Sequence, residues 1–421
     1  MQTIRGFRDI LPEHIALWQR VEKEAVSLFE SFGFKEIRIP VLEKTELFAR
    51  SIGEATDIVE KEMYTFADRK GDKLTLRPEA TASIVRSYIQ HKMYATDPVR
   101  KFFMTGPMFR RERPQKGRYR QFYQIDAEVF GVESGFIDSQ LIYLLNELFK
   151  RLGLTGLSAH INSLGCPKCR PSFQKTLLEF LQSKKKKLCD NCLRRIDKNP
   201  LRILDCKGRE CKEAIKDVPA TLNHLCGECS EHFALVKATL EEQGVDFTVD
   251  KTLVRGLDYY TRTAWEILTT SLGAQNAVAG GGRYDGLVKE LGGPDTPAIG
   301  FAIGFDRLVE VMEQMDQNIL EETPDLFILS LGDAAVKKGY LWLCELNQAG
   351  IKTEMDYRGK SLKALMKRAN KFKARYVLIV GENEISQNAA ILRNMNTKDQ
   401  VPIDMDTLVP ELIKTINGLR Y

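Results

Sequence analysis

No stretch of this 421-residue chain approaches the roughly 18 consecutive apolar residues needed to cross a bilayer. The opening residues, MQTIRGFRDILPEH, carry charges where the apolar region of a secretory signal would sit, so the cytoplasm is the expected compartment. Internal repeats are lacking, and so are low-complexity tracts apart from Lys184 to Lys187, which excludes solenoids and arrays. The segment RGKS at 358–361 lacks the glycine that a phosphate loop needs five residues before Gly359, because Glu354 stands there. A strong net charge is lacking too, since 62 Lys and Arg nearly balance 57 Asp and Glu. What remains is soluble globular composition, 43% hydrophobic and 28% charged, with length for roughly two to four domains.

The charge that is present is unevenly spread. Between Lys101 and Gly131, the cations Arg110, Arg111, Arg113, Lys116, Arg118 and Arg120 lie between two aromatic-rich, strand-favouring flanks. Pro114 and Gly117 break the connection, so a hairpin with a long cationic loop is expected, with Arg110 and Arg120 at its rims. Guanidinium groups there stay charged and can grip phosphate oxygens in a bidentate fork. On the returning strand, alternation places Gln124, Asp126 and Glu128 on one face and Ile125, Ala127 and Val129 on the other.

Elsewhere the pattern is mixed helix and strand. Pro12 opens a core-facing helix through Trp18, Val21, Ala25, Leu28, Phe29 and Phe32, stopped at Gly33. A short strand ending at Leu76 meets Pro78 and a helix, leaving Glu79 at the corner, where a carboxylate can favour the helix amino end or point at a ligand. A helix is expected from Ile137 to Leu152. From about Asn162 to Phe233 the composition shifts to cysteine and lysine. Cys166 to Cys211 alone carry 13 Lys and Arg against 5 Asp and Glu, so a local polyanion contact is plausible. The acidic stretch Glu313 to Pro324 is expected to be a linker into a small three-layer α/β piece, where nine Lys and Arg stand against two acids between Ile351 and Arg375.

Eight of the nine cysteines form four close pairs: Cys166 and Cys169, Cys189 and Cys192, Cys206 and Cys211, Cys226 and Cys229. In a reducing compartment this spacing points to structural zinc in two four-cysteine sites, or to buried packing. His160, His224 and His232 are near enough to substitute as ligands, and Cys344 is expected in the core.

Taken together, GFKEIRIP, FRRE at Phe109 to Glu112, GFAIGFDRL, LVRGLDYYTRTAWE and AVAGGGRYDGL resemble the signatures of the histidyl-tRNA synthetases, a class II family, over nearly the whole chain. The resemblance implies an α+β fold: a catalytic domain with a mainly antiparallel sheet and flanking helices, an inserted domain, and a C-terminal α/β anticodon-binding domain. The expected boundaries are 1–161 and 237–318 for the catalytic domain, 162–236 for the insertion and 325–421 for the anticodon domain. Activation of L-histidine with ATP and transfer to the histidine tRNA, by a homodimer without membrane attachment, is the implied activity, with Mg²⁺ on the phosphates.

Residue by residue, the resemblance implies that Arg110, Arg255 and Arg307 are catalytic and hold ATP together with Glu112. It implies that Glu79, Thr81 and Gln124 meet the histidine amino group, and that Glu128 and Tyr260 pair with the imidazole nitrogens. Tyr259, Gly282, Arg283 and Tyr284 are expected to line the pocket. A carboxylate and a phenol suit a ring that offers one donor and one acceptor. Two rivals share much of this pattern, a histidine-binding regulatory paralogue and a sensor on a degenerate synthetase fold. The final hundred or so residues and the retained arginines disfavour both.

Overall fold

A computed structural model describes the chain except residues 54–55, 116, 270–276, 316–322, 359–360 and 419–421, and describes only the backbone at 197–198. It divides into two compact units, Met1–Ile319 and Leu320–Tyr421. Among the described residues no helix is long and apolar enough to cross a membrane.

The first unit is built on an eight-stranded sheet. Across it the strands run Lys35–Glu36, Arg100–Phe109, Gln121–Phe130, Ala298–Gly304, Ala277–Arg283, Thr261–Thr269, Leu157–Ser163 and Phe247–Val249. The interior pairs are antiparallel, and only the two short edge strands pair in parallel. The expected hairpin forms its second and third strands: Arg100 pairs with Phe130 and Phe109 with Gln121, and the Arg110 N–H donates to the Arg120 carbonyl at 2.9 Å.

Alternation then sorts the faces. Ile125, Ala127 and Val129 enter the main core, where helix Pro12–Ser31 brings Trp18, Val21, Leu28 and Phe29 and helix Gly135–Arg151 brings Leu141, Leu145 and Leu148. Burying each such side chain contributes about 1.5–3 kcal/mol. This leaves the face of Gln124, Asp126 and Glu128 for chemistry.

One helix crosses an expected domain edge, and another fills the start of the expected linker. The cysteine-rich insertion has its own core, formed by Phe173, Leu177, Leu181, Ile196 and Ile203. However, helix Gly227–Glu242 runs through the expected edge at residue 236, and its Phe233, Val236 and Leu240 belong to the main core. The compositional signal fades at Phe233, about two and a half turns before the helix ends. At the other end, Glu313 to Met315 complete helix Phe305–Met315, so they are not linker; residues 316–322 of that linker lie outside the described residues.

The second unit holds a five-stranded sheet in the order Thr353–Met355, Leu326–Ser330, Tyr376–Val380, Ala389–Asn394, Gln400–Asp404. Its first three strands are parallel and the last two antiparallel. Alternation again divides it: Ile328 and Leu378 pack against helices Asp333–Gln348 and Leu408–Asn417, while Phe327, Leu329 and Val377 pack against helix Leu362–Lys371. The strand Gln400–Asp404 escapes the sequence pattern because Pro402 interrupts it, which an edge strand tolerates. Cys344 is half-buried in helix Asp333–Gln348.

Candidate active site

One cavity of about 220 Å³ opens on the polar face of the Arg100–Phe130 hairpin. Glu79, Thr81, Arg110, Glu112, Gln124, Arg255, Tyr259, Tyr260, Tyr284 and Arg307 all line it, although they span more than half of the sequence. Strand register explains the convergence, since Gln124 lies opposite Gly304, and Glu128 opposite Gly300, across the sheet.

One end of the cavity is cationic. The Arg110 Nε–H donates to the Pro78 carbonyl at 2.9 Å, and its guanidinium lies over the Phe122 ring, 5.2 Å from the centroid. Arg307 is tethered by donating to the carbonyls of Gly117 at 3.0 Å and Ala277 at 2.8 Å. Burial, then the charges of Arg118 and Arg110, pull its pKa down, so this end is electrostatically favourable for an anion. Arg255 is paired with Glu266 and lies 5.6 Å from the Tyr260 ring centre.

The other end is acidic. Glu79 accepts from the N–H groups of Thr81 at 2.8 Å and Ala82 at 3.0 Å, so it serves the amino end of helix Thr81–Gln90 and lines the cavity as well. Glu128 lies one layer behind the wall. The Thr81 hydroxyl donates to its Oε1 at 2.6 Å, and the Tyr284 hydroxyl donates to its Oε2. Burial pushes the Glu128 carboxyl up to about 8. Burial also raises the phenols of Tyr259, Tyr260 and Tyr284, which therefore stay protonated and able to donate.

Glycines make the room. A Cβ at Gly300 would overlap the Glu128 carboxylate, and one at Gly280 would overlap the Arg255 guanidinium.

Two expected pocket residues are placed elsewhere. Arg283 does not reach the cavity: it is fully buried, donating to Asp138, to Asp285 and to the carbonyls of Val132 and Ser134. Its position on the strand turns it toward helix Gly135–Arg151, where Asp138 also meets His232 at 2.7 Å. Gly282 is off the wall as well, because its Cβ position faces Tyr260 and the Thr263 carbonyl.

Sequence reasoning missed several charged lining residues, Asp126, Arg118 and Glu266 among them. Asp126, with a buried Oδ2 that has no hydrogen-bond partner, sits between Gln124 and Glu128 on the face that alternation had already singled out. Burial, then Glu128 and Glu79, push its carboxyl well above the usual range. Arg118 stands in the basic loop and pairs with Glu112 at 2.9 Å, and Glu266 holds Arg255. Glu266 closes the same motif that holds Arg255, eleven residues on, and the chain between them folds back to bring the two together.

The eight paired cysteines gather into two groups, Cys166, Cys169, Cys226 and Cys229, and Cys189, Cys192, Cys206 and Cys211, with the four sulfurs of each within 4.8 Å of one another. No histidine joins them. His224 bonds Ser172, His232 bonds Asp138, and His160 bonds Ser158.

An antiparallel sheet carrying a motif-bearing hairpin and a cationic cleft defines a class II aminoacyl-tRNA synthetase fold. Residues 6–308 match the family described as histidyl-tRNA synthetase, and residues 326–415 match the anticodon binding domain. A histidine–tRNA ligase of Desulforapulum autotrophicum is 65% identical over 418 residues, covering 99% of this chain and 98% of that protein. One from Desulfatibacillum aliphaticivorans is 57% identical, covering 99% of each. The crystal structure of the apo S. aureus histidyl-tRNA synthetase superposes with a TM-score of 0.83 at 34% identity, covering 98% of this chain and 100% of that one. The chain belongs to the histidyl-tRNA synthetase family.

Proposed function

We propose that the cavity joins L-histidine to ATP and that its two ends divide the work. The activity is that of a histidine–tRNA ligase, an aminoacyl-tRNA ligase that uses ATP. The observation that carries the division is the meeting, in one cavity, of four arginines with a carboxylate and phenol cluster. Histidine would sit at the acidic end, its ammonium near Glu79, Thr81 and Gln124 and its ring between Glu128 and Tyr260. ATP would lie along Arg110, Glu112 and Arg307, with Mg²⁺ carried on its phosphates.

The histidine carboxylate then attacks the α-phosphorus and pyrophosphate leaves, giving histidyl adenylate. Negative charge grows on the phosphoryl oxygens, where fixed guanidinium groups stabilise the transition state more than the ground state. Arg110 and Arg255 are the groups assigned to that charge. In the second step the terminal ribose hydroxyl of the tRNA attacks the activated carbonyl and releases AMP.

Catalysis is assigned to the Met1–Ile319 unit and anticodon reading to the Leu320–Tyr421 unit, whose basic helix Leu362–Lys371 supplies salt-dependent attraction to the RNA backbone. Exposed Val41 and Leu42, next to the first class II motif, suit burial against a second copy of the chain. The four-cysteine groups suit structural zinc.

Histidine-dependent exchange of pyrophosphate into ATP tests the assignment. Robust exchange with L-histidine alone among the amino acids is expected. Absence of exchange, with histidine still bound, would favour the regulatory paralogue instead.

A further inference from the structure

We propose that the chain binds two structural zinc ions and that the outer one positions Tyr260, the phenol assigned above to the histidine ring. The second half of this proposal rests on that assignment, and the first half does not.

The metal sites follow from sulfur geometry. A disulfide brings sulfurs to about 2.05 Å. Four thiolates around zinc at about 2.3 Å leave tetrahedral edges of about 3.8 Å. Here Cys166 and Cys169 are separated by 3.6 Å, Cys166 and Cys226 by 3.8 Å, Cys169 and Cys229 by 3.8 Å, and Cys189 and Cys206 by 4.0 Å. Backbone N–H groups already point at the sulfurs: Cys166 N–H donates to Cys169 Sγ at 3.1 Å, and Cys189 N–H to Cys211 Sγ at 3.1 Å. The sets are nested, because the outer site joins the first and last pairs in sequence and encloses the inner one.

The outer site is wired to the histidine end of the cavity. Gly165, in a left-handed conformation, leads into the Cys166–Cys169 turn, and a Cβ there would lie 2.8 Å from Cys169 Sγ. The Gly165 carbonyl accepts from the Arg262 N–H at 2.9 Å and from the Thr261 hydroxyl at 3.0 Å, the two residues after Tyr260. Leu164 N–H returns a bond to the Arg262 carbonyl at 2.7 Å. Arg170, whose own N–H bonds the Cys166 carbonyl at 3.0 Å, donates its guanidinium to the Tyr260 carbonyl. Tyr260 thus leads directly into a backbone segment, Tyr260 to Arg262, held by the turn that would grip the metal. Loss of the metal would therefore loosen the segment that carries Tyr260, and with it ring recognition, before phosphate binding.

Metal content of the full-length protein, purified under reducing, chelator-free conditions, is measured first. Two zinc ions per chain are expected. A metal-free protein, or a coloured one holding iron, would overturn the zinc assignment. The coupling is read from Arg170→Met, which keeps all eight cysteines. It should retain two zinc ions while the histidine KM in pyrophosphate exchange rises about tenfold or more and the ATP KM stays within about twofold. Cys226→Ser with Cys229→Ser should lose one zinc ion and show the same split. Two zinc ions in Arg170→Met with an unchanged histidine KM would overturn the positioning role. A zinc-loaded wild type without histidine-dependent exchange would instead defeat the cavity assignment and leave the metal sites standing.

Discussion

Thr81 and Glu128, 47 residues apart in sequence, meet through a hydroxyl-to-carboxylate hydrogen bond of 2.6 Å just behind the cavity wall. Tyr284 holds the other carboxylate oxygen, so Glu128 is fixed before any ligand arrives. Preorganisation of this kind lowers the cost of recognising a ring, because no rotamer has to be frozen on binding. It also makes the acidic end of the cavity sensitive to small changes.

Glu128 should leave a signature in the pH dependence of stability. Its folded pKa of about 8 lies above the ordinary 4.5, so the folded protein holds the proton more tightly than the unfolded chain. That contribution is complete below about pH 4.5 and is lost as pH rises through about 8, with a slope of at most about 1.4 kcal/mol per pH unit. Urea unfolding of the wild type and Glu128→Gln across this range should show the wild type losing stability relative to the variant. Parallel curves would mean that the carboxyl titrates normally.

Gly300→Ala should act on the same group from behind. The added methyl overlaps the carboxylate, and overpacking of this kind typically costs about 1–3 kcal/mol. A raised histidine KM with a nearly normal ATP KM is expected in exchange assays. Equal damage to both would indicate general disruption of the sheet.

Arg255→Ala should lower the rate of adenylate formation on the order of 10²-fold or more. It also strips Glu266 of its partner, so Arg255→Ala with Glu266→Ala serves as the control for an orphaned carboxylate. Near-normal exchange in either variant would remove Arg255 from its assigned role.

Arg283→Ala should be a stability variant. The pair with Asp138 is fully buried on both sides, and deleting one partner typically costs about 3–5 kcal/mol because the other charge stays buried. A large fall in the unfolding midpoint, with an unchanged histidine KM in the folded fraction, is expected. A selective KM effect at full stability would return Arg283 to the pocket.

Reversing Lys363 and Lys367, both exposed on helix Leu362–Lys371, should weaken tRNA charging and flatten its salt dependence. Pyrophosphate exchange, which needs no tRNA, should be unaffected.

Local features of this chain were fixed by residue order alone: the hairpin from its flanks and turn residues, the polar face of Gln124, Asp126 and Glu128 from two-residue alternation, and the core helix after Pro12 from its spacing. Such features depend on neighbours within a few residues, and the motif resemblance named most of the cavity in the same way. Residue order could not decide which strands lie side by side. That placement put Gly300 behind Glu128, turned Arg283 away to Asp138, and chose which cysteine pair closes on which. These relations join segments tens to hundreds of residues apart, and only packing of the sheet and its helices sets their distances.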